Sequence, residues 1–475
     1  MTARPSLEIE LPASYGAERE YAARVVVDTF LGYRPLVRET GTDRVSIRLA
    51  GERERLVVDD GLFATPPHGW LAPSSLPRDR VPYRTVGREL PGAVLVDDRL
   101  PVLYGDGCGR PLLERESGTG AATLHLDVFG AAFFALTRYE EWVANRHADE
   151  HGRFPAQASL AVRAGFLQRP IANEYAEVLR AALRVLWPRL PDLRRPAGMW
   201  LTHDVDWPLV TLRRRAREVL RSVAADVVAR RSADLARRRL AGWLRARRGD
   251  FRSDPGDTFD DLMSVADEAG LRATFTFLAD GTAALDGRYR LSDPWIRRLM
   301  LRITGRGHEL GFHASYDSYD DPQRVAEEFG TLRREAAALG IEQPVWRGRQ
   351  HFLRWRNPLT WRAWSDAGLD VDSTVYFAES PGFRTGSCHA YPVFDLGRRR
   401  ELPLVELPLT LMDVSATRYG RLGDERTREV AAELGRACRR LGGTFVLLWH
   451  NDAVMTKPSL RLYRDVVAAA AGGSS

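Results

Sequence analysis

Apolar runs with strand character alternate with amphipathic helical segments through residues 197–455, and this alternation constrains the fold more than any other feature of the sequence. Strand-like runs occur at 199–205, 272–279, 307–313 and 444–450, and helical patterns separate them. Parallel strands need a long crossover connection, which a helix usually supplies. The pattern therefore predicts an α/β fold with a parallel sheet, most simply a (β/α) barrel that is open or distorted.

A proline-rich segment at 190–196 separates this region from the first part of the chain. Residues 1–195 contain short strand and helix patterns broken by Pro- and Gly-rich turns, so we expect a smaller α+β N-terminal domain of unknown role. Residues 197–475 would form the barrel, with a basic helical insertion at about 211–250. The chain shows no internal repeat.

The composition excludes several classes of protein. The 475 residues carry a net charge of +6, but Lys457 is the only lysine, so the arginine excess is weak evidence for nucleic acid. Three scattered cysteines (Cys108, Cys388 and Cys438) indicate neither a disulfide framework nor a thiolate zinc site. The N-terminus lacks an apolar signal region and no run of eighteen apolar residues occurs, so we expect a cytoplasmic protein.

The basic insertion allows two interpretations. Apolar residues recur at helical spacing through 211–248, with arginines between them. Such a segment can contact an anionic membrane surface or an acidic polymer. It can also form a helical hairpin that packs on the core and leaves its arginines in solvent, which is the more common arrangement. Nucleic acid is not expected, because Trp243 is the only aromatic residue in this stretch.

A buried-looking strand at 199–205 ends in two carboxylates, Asp204 and Asp206. Alternation along an extended backbone places both on one side and Val205 on the other. A carboxylate at the inner end of a strand is costly unless it is paired or bound to a cation. The pair suits a metal ligand beside a general base, although a strand end followed by a solvated acidic turn gives the same pattern.

Other polar residues also fall at predicted strand ends, where parallel α/β folds collect functional groups. They include His313, the segment 347–351, Asp372 and the segment 450–452. Histidine is scarce, with ten in the chain, yet several occupy these ends. Together with the two aspartates they predict a metal site.

The order of these motifs resembles the polysaccharide deacetylase (NodB-homology) family, in particular bacterial members with an additional N-terminal domain. The motifs are Thr-His-Asp-Val-Asp at 202–206, Ala-Thr-Phe-Thr-Phe at 273–277, Gly-His-Glu-Leu-Gly-Phe-His at 307–313 and Leu-Leu-Trp-His at 447–450. The resemblance implies a distorted (β/α) barrel, one divalent metal that is commonly Zn²⁺, and a carbohydrate substrate. It also implies removal of N-acetyl groups from a sugar or a surface-polysaccharide precursor.

The resemblance assigns the first motif a catalytic base, Asp204, and a metal ligand, Asp206; their spacing leaves the two roles exchangeable. His313 matches the first histidine of the second motif. The position of the second histidine holds Asp317, which can still ligate zinc. We prefer His351, at a later strand end, as the third ligand.

The remaining roles come from later motifs. An arginine that orients the base would be Arg349, with Arg347 as the alternative, and His450 would be the general acid. The segment 258–261, Thr-Phe-Asp-Asp, matches the first motif of the family by letters. We reject it because no apolar strand precedes it and its pattern begins a helix.

Two other functions remain open from the sequence. Relatives of this fold hydrolyse other C–N amide bonds, including those of cyclic ureides. The altered second motif also allows an inactive barrel that serves as a carbohydrate-binding or assembly module.

Overall fold

The computed structural model describes residues 4–105, 109–144, 148–212, 214–251, 254–279, 281 and 283–473. Cys108 and Arg213 lie outside these residues. The described chain divides into two compact units. The first comprises the residues up to Gly198 together with Val375–Thr410 and Arg436–Phe445. The second comprises Met199–Thr374, Leu411–Gly435 and the residues from Val446 onward.

The strands are numbered in chain order: β1 (Ser6–Pro12), β2 (Arg34–Thr40), β3 (Val45–Leu49), β4 (Arg55–Val58), β5 (Tyr83–Thr85), β6 (Arg99–Pro101), β7 (Leu113–Arg115), β8 (Ala121–Leu124), β9 (Gly198–Val205), β10 (Ala273–Leu278), β11 (Glu309–Ala314), β12 (Arg347–Gln350), β13 (Val371–Asp372), β14 (Tyr391–Asp395), β15 (Arg400–Glu406), β16 (Leu411–Met412) and β17 (Thr444–Leu448).

The α-helices are numbered in the same way: α1 (Gly16–Arg24), α2 (Val128–Leu136), α3 (Tyr139–Val143), α4 (Leu160–Arg163), α5 (Ile171–Leu186), α6 (Ala216–Val228), α7 (Ala233–Ala246), α8 (Phe259–Glu268), α9 (Pro294–Gly305), α10 (Pro322–Ala338), α11 (Leu359–Ala367), α12 (Asp424–Leu441) and α13 (Lys457–Ala471). No α-helix in the described part of the chain is both long and apolar enough to cross a bilayer.

The first unit contains a mixed six-stranded sheet in the order β2-β1-β3-β4-β8-β7. Helices α2 and α5 are almost entirely buried and lie in one apolar core with the inward side chains of this sheet. The antiparallel pair β14–β15 belongs to the same unit. Two late segments therefore join the N-terminal residues, a division that differs from the predicted domains 1–195 and 197–475.

Hydrogen bonds within the first unit show why the late segments belong there. The backbone N–H of Ala172, at the start of α5, donates to the carbonyl of Gly386 at 2.8 Å. The side-chain oxygen of Asn173 accepts the backbone N–H of Cys388 at 2.9 Å. These bonds join residues more than two hundred positions apart, so no local sequence pattern marks them.

The second unit contains seven consecutive strands of a curled half-barrel sheet, in the order β13-β12-β11-β10-β9-β17-β16. The neighbouring pairs from β9 through β13 and the pair β16–β17 are parallel. All six residues of β10 are buried, as expected for a parallel strand whose two faces are both covered. The predicted α/β fold with a parallel sheet is confirmed, and the sheet is open.

The register of the parallel strands brings the predicted motifs to one edge of the sheet. Asp204 of β9 lies opposite Thr276 of β10, and Leu278 of β10 lies opposite His313 of β11. His313 in turn lies opposite Arg349 of β12. The carboxyl ends of β9, β11 and β12 therefore meet at a common edge.

The basic insertion and the rejected motif both form helices. Helices α6 and α7 occupy the insertion. The segment 258–261 is the first turn of α8, with Asp260 and Asp261 exposed. The hydroxyl of Thr258 donates to the carbonyl of Asn451 at 2.7 Å and does not cap the helix. This segment is therefore not part of the site at the sheet edge.

Candidate metal centre

Three side chains converge at the carboxyl ends of β9, β11 and β12: Asp206, His313 and His351. One ligand atom from each lies within 4.8 Å of the other two. His313 Nε2 is 3.1 Å from Asp206 Oδ1, and His351 Nε2 is 3.7 Å from Asp206 Oδ2. Two imidazoles and a carboxylate are a ligand set that suits Zn²⁺ and leaves a coordination position open.

The partners of the two imidazoles determine which ring nitrogens face the centre. His313 Nδ1 lies 2.7 Å from the carbonyl oxygen of Arg349, which can only accept a hydrogen bond. His351 Nδ1 lies 2.8 Å from the carboxylate of Asp286. Each neutral ring therefore carries its proton on Nδ1 and presents the lone pair of Nε2 toward Asp206. Partners of this kind orient the histidine ligands of metal sites.

Two buried atoms at the centre lack a hydrogen bond in the described part of the chain. They are Asp206 Oδ1 and His313 Nε2, which are close together but not in hydrogen-bonding geometry. Buried polar atoms without a partner are unusual and costly. A cation between them would satisfy both, so the residues present fit a divalent metal.

The charge state of the centre also fits a cation. Burial opposes the charged form of Asp206, but His351, His313 and His450 outweigh it and lower the pKa of this carboxyl. Burial lowers the pKa of His313, and the carboxylates of Asp204 and Asp206 reverse that effect and raise it. Metal binding would replace the proton of His313.

The structure brings His351 into the centre and leaves Asp317 outside it. Asp317 is half exposed, and its carboxylate lies 3.4 Å from Arg354 Nη1. His351 is buried and directly follows β12, in a turn where Phe352 and Leu353 both have positive φ, 59° and 57°. Non-glycine residues rarely adopt this conformation, and strain of this kind is often found at functional sites.

Asp204 has a different environment from Asp206. Its Oδ1 accepts a bond from Arg349 Nη1 at 2.8 Å and one from the Thr276 hydroxyl at 2.6 Å. Burial would raise the pKa of Asp204, but Arg349 and then His313 lower it. Arg349 is itself fixed by the carbonyl of Ser373 at 3.0 Å. The alternative arginine, Arg347, bonds to Glu309 at 2.6 Å and does not contact either aspartate in the described contacts.

His450, at the carboxyl end of β17, also lies near Asp206, with Nε2 3.7 Å from Asp206 Oδ2. Its Nδ1 is 2.7 Å from the carboxylate of Asp413, which follows β16 directly. Burial disfavours the imidazolium, but Asp413 outweighs it and raises the pKa of His450 well above its ordinary value. This histidine is therefore suited to carry a proton.

Sequence reasoning missed two residues that support the centre, Asp286 and Asp413. Asp413 directly follows the short strand β16, so it is a carboxylate at a strand end, like Asp204 and Asp206. The same sequence pattern could therefore have identified it. Asp286 lies in the connection between β10 and α9, where no strand end marks it. Asp372, another strand-end residue, is not in the cluster of Asp206, His313 and His351, and its carboxylate accepts the backbone N–H of Thr374 at 3.0 Å.

Residues 7–188, less than half of the chain, match a family of unknown function, DUF7033. No curated protein sequence matches the chain.

Among solved structures, a putative polysaccharide deacetylase from Mycobacterium smegmatis is similar at 18% identity and a TM-score of 0.38, over 58% of this chain and 84% of that one. A family 4 carbohydrate esterase from Streptomyces lividans in complex with acetate is 12% identical, with a TM-score of 0.27, over 45% and 81% of the two chains. The Puue allantoinase is 11% identical, with a TM-score of 0.36, over 60% and 88%.

Proposed function

We propose that the second unit is a metal-dependent hydrolase that removes N-acetyl groups from a sugar or a surface-polysaccharide precursor. The observation that carries the proposal is the pair of imidazoles whose Nε2 lone pairs face the carboxylate of Asp206. A divalent ion held by Asp206, His313 and His351, for which Zn²⁺ is our choice, would supply Lewis-acid polarisation of the acetyl carbonyl and a water of lowered pKa.

Asp204 is proposed as the general base. Arg349 and Thr276 both donate to its Oδ1, while Oδ2 lies 3.8 Å from His313 Nε2 at the edge of the centre. Arg349 keeps the carboxylate ionised and fixes its orientation. Asp204 can therefore accept the proton of a water that attacks the acetyl carbon from this side.

His450 is proposed as the general acid. The C–N bond of an amide breaks readily only if the departing nitrogen is protonated. Asp413 holds His450 in its charged form and directs Nε2 toward Asp206. A proton donor and a base at the same centre divide the two proton transfers between two residues.

The choice of an N-acetylated sugar rests on the resemblance of the motif order to polysaccharide deacetylases. The altered second motif does not by itself favour an inactive module. His351 lies close enough to Asp206 and His313 to serve as a third ligand, whereas Asp317 pairs with Arg354.

The test measures zinc content and acetate release from N-acetylglucosamine oligomers with the full chain. Asp204→Asn should lower acetate release by about a hundred- to ten-thousand-fold and leave zinc content unchanged. Asp206→Asn should lose the metal. Asp317→Asn is the matched control and should alter neither quantity. Loss of zinc in Asp204→Asn would mean that the two aspartates have exchanged roles.

Other outcomes decide between the functions. If the protein binds no divalent ion, even with added zinc, the hydrolase proposal is wrong. If it binds zinc and hydrolyses a cyclic ureide but releases no acetate, it is a C–N hydrolase of another substrate class. If it binds N-acetylated oligosaccharides tightly without turnover in the metal-loaded form, a binding module is the better description.

A further inference from the structure

The basic insertion forms a hairpin of two helices that is held together from within. The carboxylate of Asp226, on α6, is fully buried and accepts bonds from Arg239 Nε, on α7, at 2.6 Å and from Arg230 Nη1 at 2.8 Å. A buried, doubly bonded carboxylate between two helices fixes their relative position. The opposite faces of α6 and α7 are therefore presented to solvent in a defined arrangement.

The hairpin emerges at the edge of the sheet that carries the metal centre. The insertion begins shortly after β9 ends, and its first helix, α6, starts ten residues beyond Asp206. The carboxylate of Asp254 accepts the backbone N–H groups of Val210 and Thr211, each at 3.0 Å. These bonds tie the end of the insertion to its beginning, so the hairpin is a closed projection next to the carboxyl ends of the strands.

Apolar side chains are exposed on the outer faces of both helices. Five of the eight exposed large hydrophobic residues in the described chain lie on this hairpin. They are Leu220 (59% exposed), Val227 (50%) and Val228 (77%) on α6, and Leu240 (38%) and Leu244 (53%) on α7. Their spacings of four, seven and eight residues place them on one face of each helix.

Positive charge surrounds these apolar residues. The segment 211–248 contains thirteen arginines and three acidic residues, an excess of ten positive charges, whereas the whole chain has a net charge of only +6. Arg217 and Arg221 are exposed on α6, three residues before and one after Leu220. The positive excess of the protein is therefore concentrated in the hairpin.

We propose that the outer face of this hairpin, formed by α6 and α7, docks on the surface of a bilayer that contains anionic lipids. Exposed Leu and Val residues within an arginine-rich face fit a headgroup region, where the apolar side chains enter the acyl boundary and the guanidinium groups contact phosphates. A soluble polyanion would use the arginines but not the leucines and valines. Nucleic acid would need aromatic residues for stacking, and Trp243 is half-buried.

Docking on a bilayer would also affect which substrates reach the proposed hydrolase centre. A hairpin that emerges beside the metal centre would bring the carboxyl edge of the sheet close to the lipid surface. Substrates presented at that surface would then reach the centre in preference to those in solution.

The test is co-sedimentation of the full chain with vesicles of phosphatidylcholine, with and without phosphatidylglycerol. We expect binding only to the vesicles that contain phosphatidylglycerol, and weaker binding as salt increases. The variant Leu220→Ser with Val228→Ser, and separately Arg217→Gln with Arg221→Gln, should each weaken binding by about tenfold or more. Leu301→Ser with Arg334→Gln, exposed residues on α9 and α10, is the matched control and should bind like the wild type.

Several outcomes would overturn the docking proposal. They are absence of binding to anionic vesicles, equal binding to neutral vesicles, or undiminished binding by the Leu220–Val228 variant. Binding of dextran sulfate that is as tight as vesicle binding and unaffected by that variant would assign the surface to a soluble polyanion. A dimer in sedimentation velocity that the variant dissociates would assign it to a second copy of this chain. Melting temperature and zinc content establish that each variant is folded.

Discussion

Asp286 acts on the centre only through His351, since its carboxylate holds Nδ1 and directs Nε2 inward. Removing such a partner of a metal-bound histidine typically weakens metal binding by about 10- to 100-fold. We expect Asp286→Ala to show a loss of this size in a chelator competition with zinc. Asp317→Ala changes an exposed carboxylate nearby and should bind zinc like the wild type. Unchanged affinity in Asp286→Ala would remove His351 from the ligand set.

Asp413 should determine the alkaline side of the pH profile. Its carboxylate raises the pKa of His450, so the imidazolium persists above the ordinary pKa of a histidine. In Asp413→Asn that support is lost, the pKa of His450 falls, and the proton donor is depleted at lower pH. We therefore expect kcat/KM for acetate release to decline at lower pH than in the wild type. An alkaline limb that does not move would exclude His450 as the general acid.

At the residue scale, the sequence predicted polar groups that lie at or near the carboxyl ends of strands. Asp204, Asp206, His313 and Arg349 lie where alternation and strand ends placed them. The choice between His351 and Asp317 could not be made from spacing, because it depends on the turn after β12, in which two non-glycine residues have positive φ. Such backbone conformations have no reliable signature in one sequence.

At the N-terminus of α2, one buried carboxylate accepts three backbone N–H groups. The carboxylate of Asp127 accepts Gly130 N–H at 2.7 Å and also the N–H groups of Gly61 and Leu62 at 2.9 and 2.8 Å. Asp127→Ala would leave these buried donors without a partner. We expect it to lower the free energy of unfolding by about 2 kcal/mol or more, measured by urea denaturation.

Ser232→Ala is the matched comparison for Asp127→Ala. The Ser232 hydroxyl accepts one N–H, that of Leu235, at the less buried start of α7. Its loss should cost about 0.5 to 1 kcal/mol. Equal effects of the two substitutions would contradict the view that Asp127 ties α2 to the segment at 61–62.

At the element scale, helices and buried strands were easier to predict than their ends. The two helices of the basic insertion followed from apolar spacing, and β10 followed from a continuous apolar run. The start of α8 was predicted correctly, although the Thr258 hydroxyl donates to the carbonyl of Asn451 and does not cap the helix. A hydroxyl can choose between a local and a distant partner, and the sequence around it does not determine which one is available.

At the scale of the whole molecule, the first unit needs late segments of the chain to be complete. Arg384 forms a bidentate pair with Glu141, at 2.9 and 2.6 Å, and both side chains are buried. A fragment that ends at residue 198 would lack this arginine, and a buried ion pair that loses one partner typically costs about 3 to 5 kcal/mol. We expect this fragment to be unfolded or aggregated when expressed alone, as measured by circular dichroism and size-exclusion chromatography.

Co-expression of residues 1–198 with residues 199–475 provides the control for that prediction. If the late segments complete the first unit, the two fragments should co-purify. A stable, monomeric fragment 1–198 would instead support the predicted boundary near 195. The sequence could not distinguish these cases, because the proline-rich segment at 190–196 is a valid linker signal and the contacts of 375–410 leave no trace in local pattern.

The division of the first unit also affects the order of events during synthesis. Its last segment ends at Phe445, so roughly 250 residues must be translated after Gly198 before the unit is complete. At about 5 to 20 residues per second, this delay is on the order of 12 to 50 seconds. For that time Glu141 lacks Arg384, and the nascent chain exposes apolar surface that will later be covered. Chaperone demand should therefore fall on the N-terminal part of the chain, although it emerges from the ribosome first.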